Sequence, residues 1–282
     1  MHRFITPFFL ISGLMMSSCS DKKPTLKITG STTVNLAVAE AAEALRGESD
    51  TKIFVDTQGG SSGGITAIGE GTADIGMASK PLTKSDRDRF PGVDLKVTQI
   101  GADAVALVVN ADVWKGGVKS LTRKQVQAIY EKKITNWKDV GGADEAIVFY
   151  NKEPGRGTWE VFANYAYGSA DKAPEVSHPE VGANEETRTK VATTPGAISQ
   201  LSMAWADNET VYALNLTDND DASVAATGSN IASGKYPMSR PLNLITRGEP
   251  TGKAKVLVDY MLSEPGQKLM EKHGYLPLSR LK

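Results

Sequence analysis

The chain has 282 residues, 40% hydrophobic and 23% charged, enough for one large or two medium domains with a sizeable core. Its 32 basic and 33 acidic side chains leave a formal charge of −1, so no basic surplus points to nucleic acid. Any anion it holds must be captured by local geometry rather than by a bulk field.

The start, MHRFITPFFLISGLMMSSCS, has a short basic segment, an apolar stretch from Phe4 to Met16 and small residues before Cys19. Residues 1–18 read as a secretory signal, too short to span a bilayer as a mature helix. Cys19, the only cysteine, sits where a lipoprotein signal peptidase leaves a new N-terminus, and residues 19–23 form a polar tether. With Cys19 lipidated, no thiol remains for a disulfide.

From Leu26 onward, β-rich runs alternate with helix-like segments, the pattern of a mixed α/β fold with a largely parallel sheet. LKIT (26–29) is a predicted strand, followed by GSTTV and the helical run NLAVAEAAEALR. KIFVDTQ (52–58) is a second strand, leading into QGGSSGGI and a short helix; ADIGMAS (73–79) is a third and ends at Lys80-Pro81. The β-like run 97–110 is long enough to cross from one domain to another. SLTRKQVQAIYEKK (120–133) reads as an amphipathic helix capped by Thr122. AIVFYNKE (146–153) is a strand entering the turn PGRGT. Residues 175–195 are polar and loop-like, and TDNDDAS (217–223) reads as solvated surface, lacking the Gly and terminal Glu of a calcium loop. PLNLITRG (241–248) is a late strand, and a last helix covers about 251–273, interrupted by Pro265.

Three turns share one design: Gly30-Ser31-Thr32-Thr33, Gly60-Ser61-Ser62-Gly63-Gly64 and Gly155-Arg156-Gly157-Thr158. Each follows a predicted strand and opens a predicted helix. A helix start offers unpaired N–H donors and the positive end of the dipole, glycine lets backbone approach an oxyanion, and hydroxyls add donors. The competing reading makes Ser61 the nucleophile of a G-x-S-x-G hydrolase elbow. It needs a base, and the chain has only His2, His178 and His273, none of them marked for that role. No phosphate-binding G-x-x-x-x-G-K-[ST] loop and no metal-ligand spacing occur. The sequence reading is therefore that Ser61 holds rather than attacks.

GSTTV, QGGSSGGI, GMASKPLT, NKEPGRGTWEVF, TPGAISQLS, SGKYPMSRPLNLITRGEPTG and GQKLMEKHGYLPL, in this order, resemble the phosphate-binding proteins of bacterial phosphate ABC transporters. The resemblance covers essentially the whole mature chain. It implies a type 2 periplasmic binding protein fold: two α/β lobes, a ligand cleft between them and two crossing strands. Lobe one would hold residues 24–109 plus 240–282 and lobe two residues 110–239. The implied activity is capture of inorganic phosphate outside the cytoplasm and delivery to permease subunits, by a monomer with a membrane lipid anchor, no cofactor and no metal. The implied ligand set is Ser31, Thr32 and Thr33; Ser61, Ser62 and Gly63; Ser79; and Lys152, Arg156, Gly157 and Thr158. Trp159 and Phe162 are expected in the lobe core. Many members carry Asp where this chain has Ser79, and that Asp accepts the proton of HPO₄²⁻, which helps reject sulfate. Asp103, in the crossing run, is a candidate substitute, and the departure at Ser79 keeps sulfate, molybdate and arsenate open as alternative ligands.

Overall fold

The computed structural model describes residues 25–46, 52–217 and 222–281. The signal, the tether with Cys19, and most of the acidic loop at 217–223 lie outside the described residues. In chain order the strands are β1 (Thr25–Gly30), β2 (Lys52–Asp56), β3 (Ile75–Ala78), β4 (Leu95–Asn110), β5 (Ser120–Thr122), β6 (Val148–Lys152), β7 (Glu180–Val181), β8 (Ala197–Ser202), β9 (Val211–Ala213), β10 (Asn215–Thr217) and β11 (Ser239–Arg247). The helices are α1 (Thr32–Arg46), α2 (Gly60–Glu70), α3 (Lys84–Asp88), α4 (Ala111–Lys115), α5 (Arg123–Tyr130), α6 (Gly157–Tyr167), α7 (Asn184–Thr193), α8 (Gly228–Ala232), α9 (Gly252–Leu262) and α10 (Glu264–Lys272).

One sheet runs through the molecule in the order β2-β1-β3-β11-β4-β8-β6-β7, with β9 also on β4 and β10 paired separately with β5. The 16-residue β4 is its axis. Residues 95–104 of β4 pair antiparallel with β11, then Val105–Val109 pair antiparallel with β8. The chain returns beside β4 at Met238–Arg240: Val105 N–H donates to the Met238 carbonyl (2.9 Å), and Ser239 faces Ala104.

Two main cores flank this crossing. In the first, Ile28, Met77 and Leu244 of the sheet meet Val38, Ala41, Leu257 and Met261 of α1 and α9. In α1 the buried positions Val34, Ala37, Val38, Ala41, Ala42 and Leu45 recur at three- and four-residue spacing, which gives the helix one apolar stripe. The second core joins Val105, Leu107 and Val109 to Trp137, Phe149, Phe162 and Tyr165. The intervening residues Ala106 and Val108 face another cluster with Val191 and Leu201. This period of two buries both faces of the second half of β4, which is why residues 104–109 form a continuous apolar run. Each large side chain so buried contributes about 1.5–3 kcal/mol.

Four sequence expectations change. The sheet is parallel at β2-β1-β3 and β8-β6-β7 but antiparallel around β4 and β11, because the chain crosses on one strand and comes back on the other. The segment 175–195 is not mostly loop: it contains β7 and α7. The last helix is two, meeting at Ser263, with Pro265 in the first turn of α10, where its missing N–H costs nothing. Of the predicted helix at 120–133, the first three residues form β5, and Thr122 caps α5 through a reciprocal bond with Gln125.

Candidate functional site

The carboxyl ends of four parallel-paired strands point at one seam, as expected for ligand sites in open α/β sheets. Gly30 at the end of β1 pairs with Met77 of β3, which sets Ser31 beside Ser79. Lys152 at the end of β6 pairs with Val181 of β7, which sets Lys152 beside Gly182. The seam is lined on one side by Ser31, Thr32, Thr33, Gly60, Ser61 and Ser79, and on the other by Lys152, Arg156, Gly157, Thr158, Gly182 and Asn184.

The first wall is neutral and self-bonded. The Ser31 hydroxyl donates to Ser79 Oγ (2.8 Å), and the Ser79 N–H donates to Ser61 Oγ (3.0 Å). The second wall reaches over to it. Asn184 Nδ2 donates to Thr33 Oγ1 (2.9 Å), and the Ser62 N–H donates to the Gly155 carbonyl (3.1 Å). Lys80, following β3, pairs with Glu160 of α6 (2.7 Å) and with Asp86 (2.9 Å). Between the walls about 10 Å³ remains, room for the centre of about one water-sized sphere. A tetrahedral oxyanion therefore enters only when the walls part, so the arrangement is a closed jaw. A larger groove of about 470 Å³, by Thr25, Asp74, Arg247 and Thr251, lies at the opposite ends of β1 and β11 and includes none of the expected ligand residues.

Close approach of the walls depends on two glycines. A Cβ on Gly157, at the start of α6, would lie 2.6 Å from Ser61 Oγ and 2.8 Å from the Ser79 carbonyl oxygen. Gly60, with φ of 57°, would meet the Arg156 side chain at 2.7 Å. The helix starts at the seam are of two kinds: at α1 the Ser31 hydroxyl oxygen accepts from the Thr33 N–H (3.2 Å) and the Val34 N–H (3.4 Å). α2, α6 and α7 begin without a side-chain cap, which leaves first-turn N–H groups of α6 and α7 available to a ligand, whereas in α2 the Ser62 N–H is already taken by the Gly155 carbonyl. α3, α4, α5 and α8 are capped by Thr83, Asn110, Thr122 and Thr227, although α9 and α10, also remote, lack side-chain caps.

Three cations serve the seam. Lys152 is 1% exposed, and its ammonium donates to the Gly182 carbonyl (2.9 Å), the Ala183 carbonyl (3.2 Å) and the Thr187 hydroxyl. Burial pushes its pKa down from 10.5 to about 7, with repulsion from Arg156 and Arg240 adding to the shift. Arg156 precedes α6 and is gripped by Glu153, through Nε at 3.0 Å and Nη2 at 2.7 Å. Arg240 lies behind the lining, its side chain 0% exposed, and donates to Asp103 through Nε (3.1 Å) and Nη2 (2.7 Å).

Of the expected ligand residues, Ser31, Thr32, Thr33, Ser61, Ser79, Lys152, Arg156, Gly157 and Thr158 line the seam. Ser62, Gly63 and Asp103 do not. Gly63 and Ser62 are taken up by the turn, the Gly63 N–H donating to the Gly59 carbonyl (2.9 Å), and Asp103 is turned toward Arg240. Phe162 belongs to the second core, while Trp159 is only half-buried. Gly60, singled out in the second turn but not in the ligand set, lines the seam, and sequence reading missed Gly182, Asn184 and Arg240. The acidic pair Glu185-Glu186 opening a run of helix formers was the available signal for α7. Among the described residues Ser61 has no histidine partner: His273 Nε2 contacts Glu40 (3.0 Å), and His178 Nε2 contacts the Tyr130 carbonyl (2.7 Å).

Two cores joined by one shared strand, with facing helix starts at the seam between them, define a two-lobed ligand-binding protein. The family model for a PBP superfamily domain matches residues 18–265. The phosphate-binding protein PstS of Bacillus subtilis is 30% identical over 261 residues, 91% of this chain and 82% of that protein. A Clostridium perfringens phosphate ABC transporter substrate-binding protein, solved with bound phosphate, superposes with a TM-score of 0.78 at 30% identity, covering 90% of this chain and 99% of that one. A Vibrio cholerae ABC-type phosphate transport receptor gives 0.69 at 30% identity, over 89% and 99% of the two chains. The chain belongs to the PBP superfamily and, within it, to the family of bacterial phosphate-binding proteins.

Proposed function

We propose that this protein captures inorganic phosphate outside the cytoplasm and passes it to the permease subunits of an ABC transporter. The observation that carries the reading is the seam, where uncapped helix starts, six hydroxyls and two cations from separate stretches of chain face one small volume. The Bacillus and Clostridium relatives carry phosphate in their names, which supports that choice of anion. The lobe boundary expected at 109 lies earlier: residues 24–103 with 240–282 make one lobe and 104–239 the other, since Ala104, Val105, Leu107 and Val109 pack in the second core. The ion draws the lobes together because only the closed state brings both donor sets within range. No bond is made or broken, and Ser61, which lacks a base, serves as a donor. Ser31, Thr32, Thr33, Ser61, Ser79, Arg156, Gly157 and Thr158 contact the anion, with Lys152 holding the start of α7.

Cys19 carries the lipid that tethers the protein to the membrane; among the described residues no helix is long and apolar enough to cross one. Palmitate labelling of cells tests this, since C19S should lose the label, and retained label would refute the anchor.

A second reading, an oxyanion other than phosphate, is favoured by Ser79 and by the lack of any carboxylate among the lining residues. Calorimetric titration with phosphate, sulfate, molybdate and arsenate separates the two. Phosphate should be bound; heat from molybdate or sulfate alone would replace the assignment while leaving the fold intact. Turnover of a chromogenic ester abolished by S61A would instead revive the hydrolase.

A further inference from the structure

Three hydroxyls that line the seam touch one buried guanidinium. Arg240 donates through Nη2 to Thr33 Oγ1 (3.1 Å), and through Nη1 to Thr158 Oγ1 (2.9 Å) and Ser79 Oγ (3.3 Å). It is fixed from behind by Asp103 and also donates to the Ser79 carbonyl (3.3 Å). A guanidinium has five N–H groups and no acceptor, so each hydroxyl facing it must present its oxygen to Arg240. Ser79 Oγ also accepts from Ser31, and Thr33 Oγ1 from Asn184. An oxygen engaged in this way has its own proton left to offer: that of Ser79 has Ser61 Oγ within reach on the same wall (3.3 Å), while among the described residues those of Thr33 and Thr158 have no acceptor and are left for a ligand in the seam. The bonds to Thr33 and Ser79 lie on one wall, and that to Thr158 crosses to the other.

Resting on the reading that the seam takes phosphate, we propose that Arg240 is a specificity-determining positioning residue. It locks Thr33, Ser79 and Thr158 as donors toward the ligand, so the site ranks tetrahedral oxyanions by how few protons they carry. Phosphate is then selected as the dianion over the monoanion, without a carboxylate to receive its remaining proton, and sulfate is not rejected by this wall. Asp103 acts through Arg240: it holds the fork in place and does not meet the anion.

Around Arg240 lie Asp103 from β4, Lys152 from β6 and Tyr275 after α10, and Lys152 itself is acted on by Arg156 in one sense and by Glu153 and Glu186 in the other. Burial raises the Tyr275 phenol, which stays protonated, leaving Lys152 as the protein group in this set whose shifted pKa falls near neutrality. An anion favours the charged ammonium, so Lys152 alone makes affinity for any anion fall as pH rises through about 7.

Calorimetric titration with phosphate and with sulfate, from about pH 6 to 8, separates these effects. Sulfate has no proton to lose in that range and reports the protein's own titration; the phosphate-to-sulfate affinity ratio isolates the ligand's. In the wild type the ratio should climb about tenfold, or 1.4 kcal/mol, as monoanion gives way to dianion. In R240Q the freed hydroxyls can rotate to accept, so phosphate affinity should fall at least about tenfold and the ratio should flatten to within about twofold. R240K keeps the charge but not the planar fork, and should flatten the ratio with a smaller affinity loss. A flat wild-type ratio, or a variant ratio parallel to the wild type, overturns the proposal. Should R240Q fail to fold with Asp103 left unpaired, D103N/R240Q removes both charges and is read by the same criterion. A wild type that binds no phosphate at any pH overturns the functional reading and this proposal with it; phosphate binding with an unmoved ratio overturns this proposal alone.

Discussion

The two walls of the seam use different chemistry. The wall built on β1, β2 and β3 offers hydroxyls and backbone N–H groups, with no charged side chain among its lining residues; the wall built on β6 and β7 brings Lys152 and Arg156. Charge attracts over a distance and tolerates error in position, whereas a hydroxyl is worth having only within hydrogen-bond range. The division assigns attraction to the second wall and discrimination to the first, with Arg240 wired to hydroxyls of both.

The contrast can be broken in several places. The largest effect is expected from Gly157→Ala, which puts a methyl group where Ser61 and the Ser79 carbonyl now lie. It should keep the jaw from closing and weaken phosphate binding by about 3 kcal/mol, the upper range for overpacking, with an unchanged melting temperature in the absence of ligand. Unaltered affinity in titration would mean that the walls do not need to meet. Arg156→Ala removes attraction from the second wall and should cost about 2 kcal/mol, more at low salt than at high. If affinity holds, the cation that matters is elsewhere. Ser61→Ala on the neutral wall should cost about 1 kcal/mol and change the salt dependence little, the signature of a neutral donor. A steep change in salt slope would erase the proposed distinction between walls. Smallest is Glu160→Gln, which loosens the bridge to Lys80 while Asp86 still pairs with it. About 0.5 kcal/mol is expected, seen as faster release in stopped-flow rather than slower capture. Slower capture instead would make Glu160 part of the encounter.

What the sequence disclosed follows the range of each interaction. The turns at Ser31, Ser61 and Arg156 were legible because glycine, hydroxyl and strand end are neighbours in the chain. β4 was legible because burial on both faces of its second half leaves the apolar run AVALVV at 104–109. α7 was hidden: NEETRTKVAT buries only Asn184, Thr187 and Val191, too narrow a stripe to stand out, and Thr is a modest helix former. Arg240 was hidden for a different reason. Beside Pro241 it looks like the exposed end of a strand, and its partner Asp103 is 137 residues away. The same distance explains the misreading of Asp103, whose carboxylate is already committed to Arg240. The antiparallel centre of the sheet follows from where the chain returns, which local periodicity does not encode.

The long strand β4 carries one further consequence. Its residues belong to the cores on both sides of the crossing, Ile100 in the first and Val105, Leu107 and Val109 in the second. Severing the chain there would strip a central strand from each half, so neither fragment would be a self-sufficient folding unit. Heating should accordingly melt the protein in a single cooperative step, even though the halves move apart as bodies every time the jaw opens.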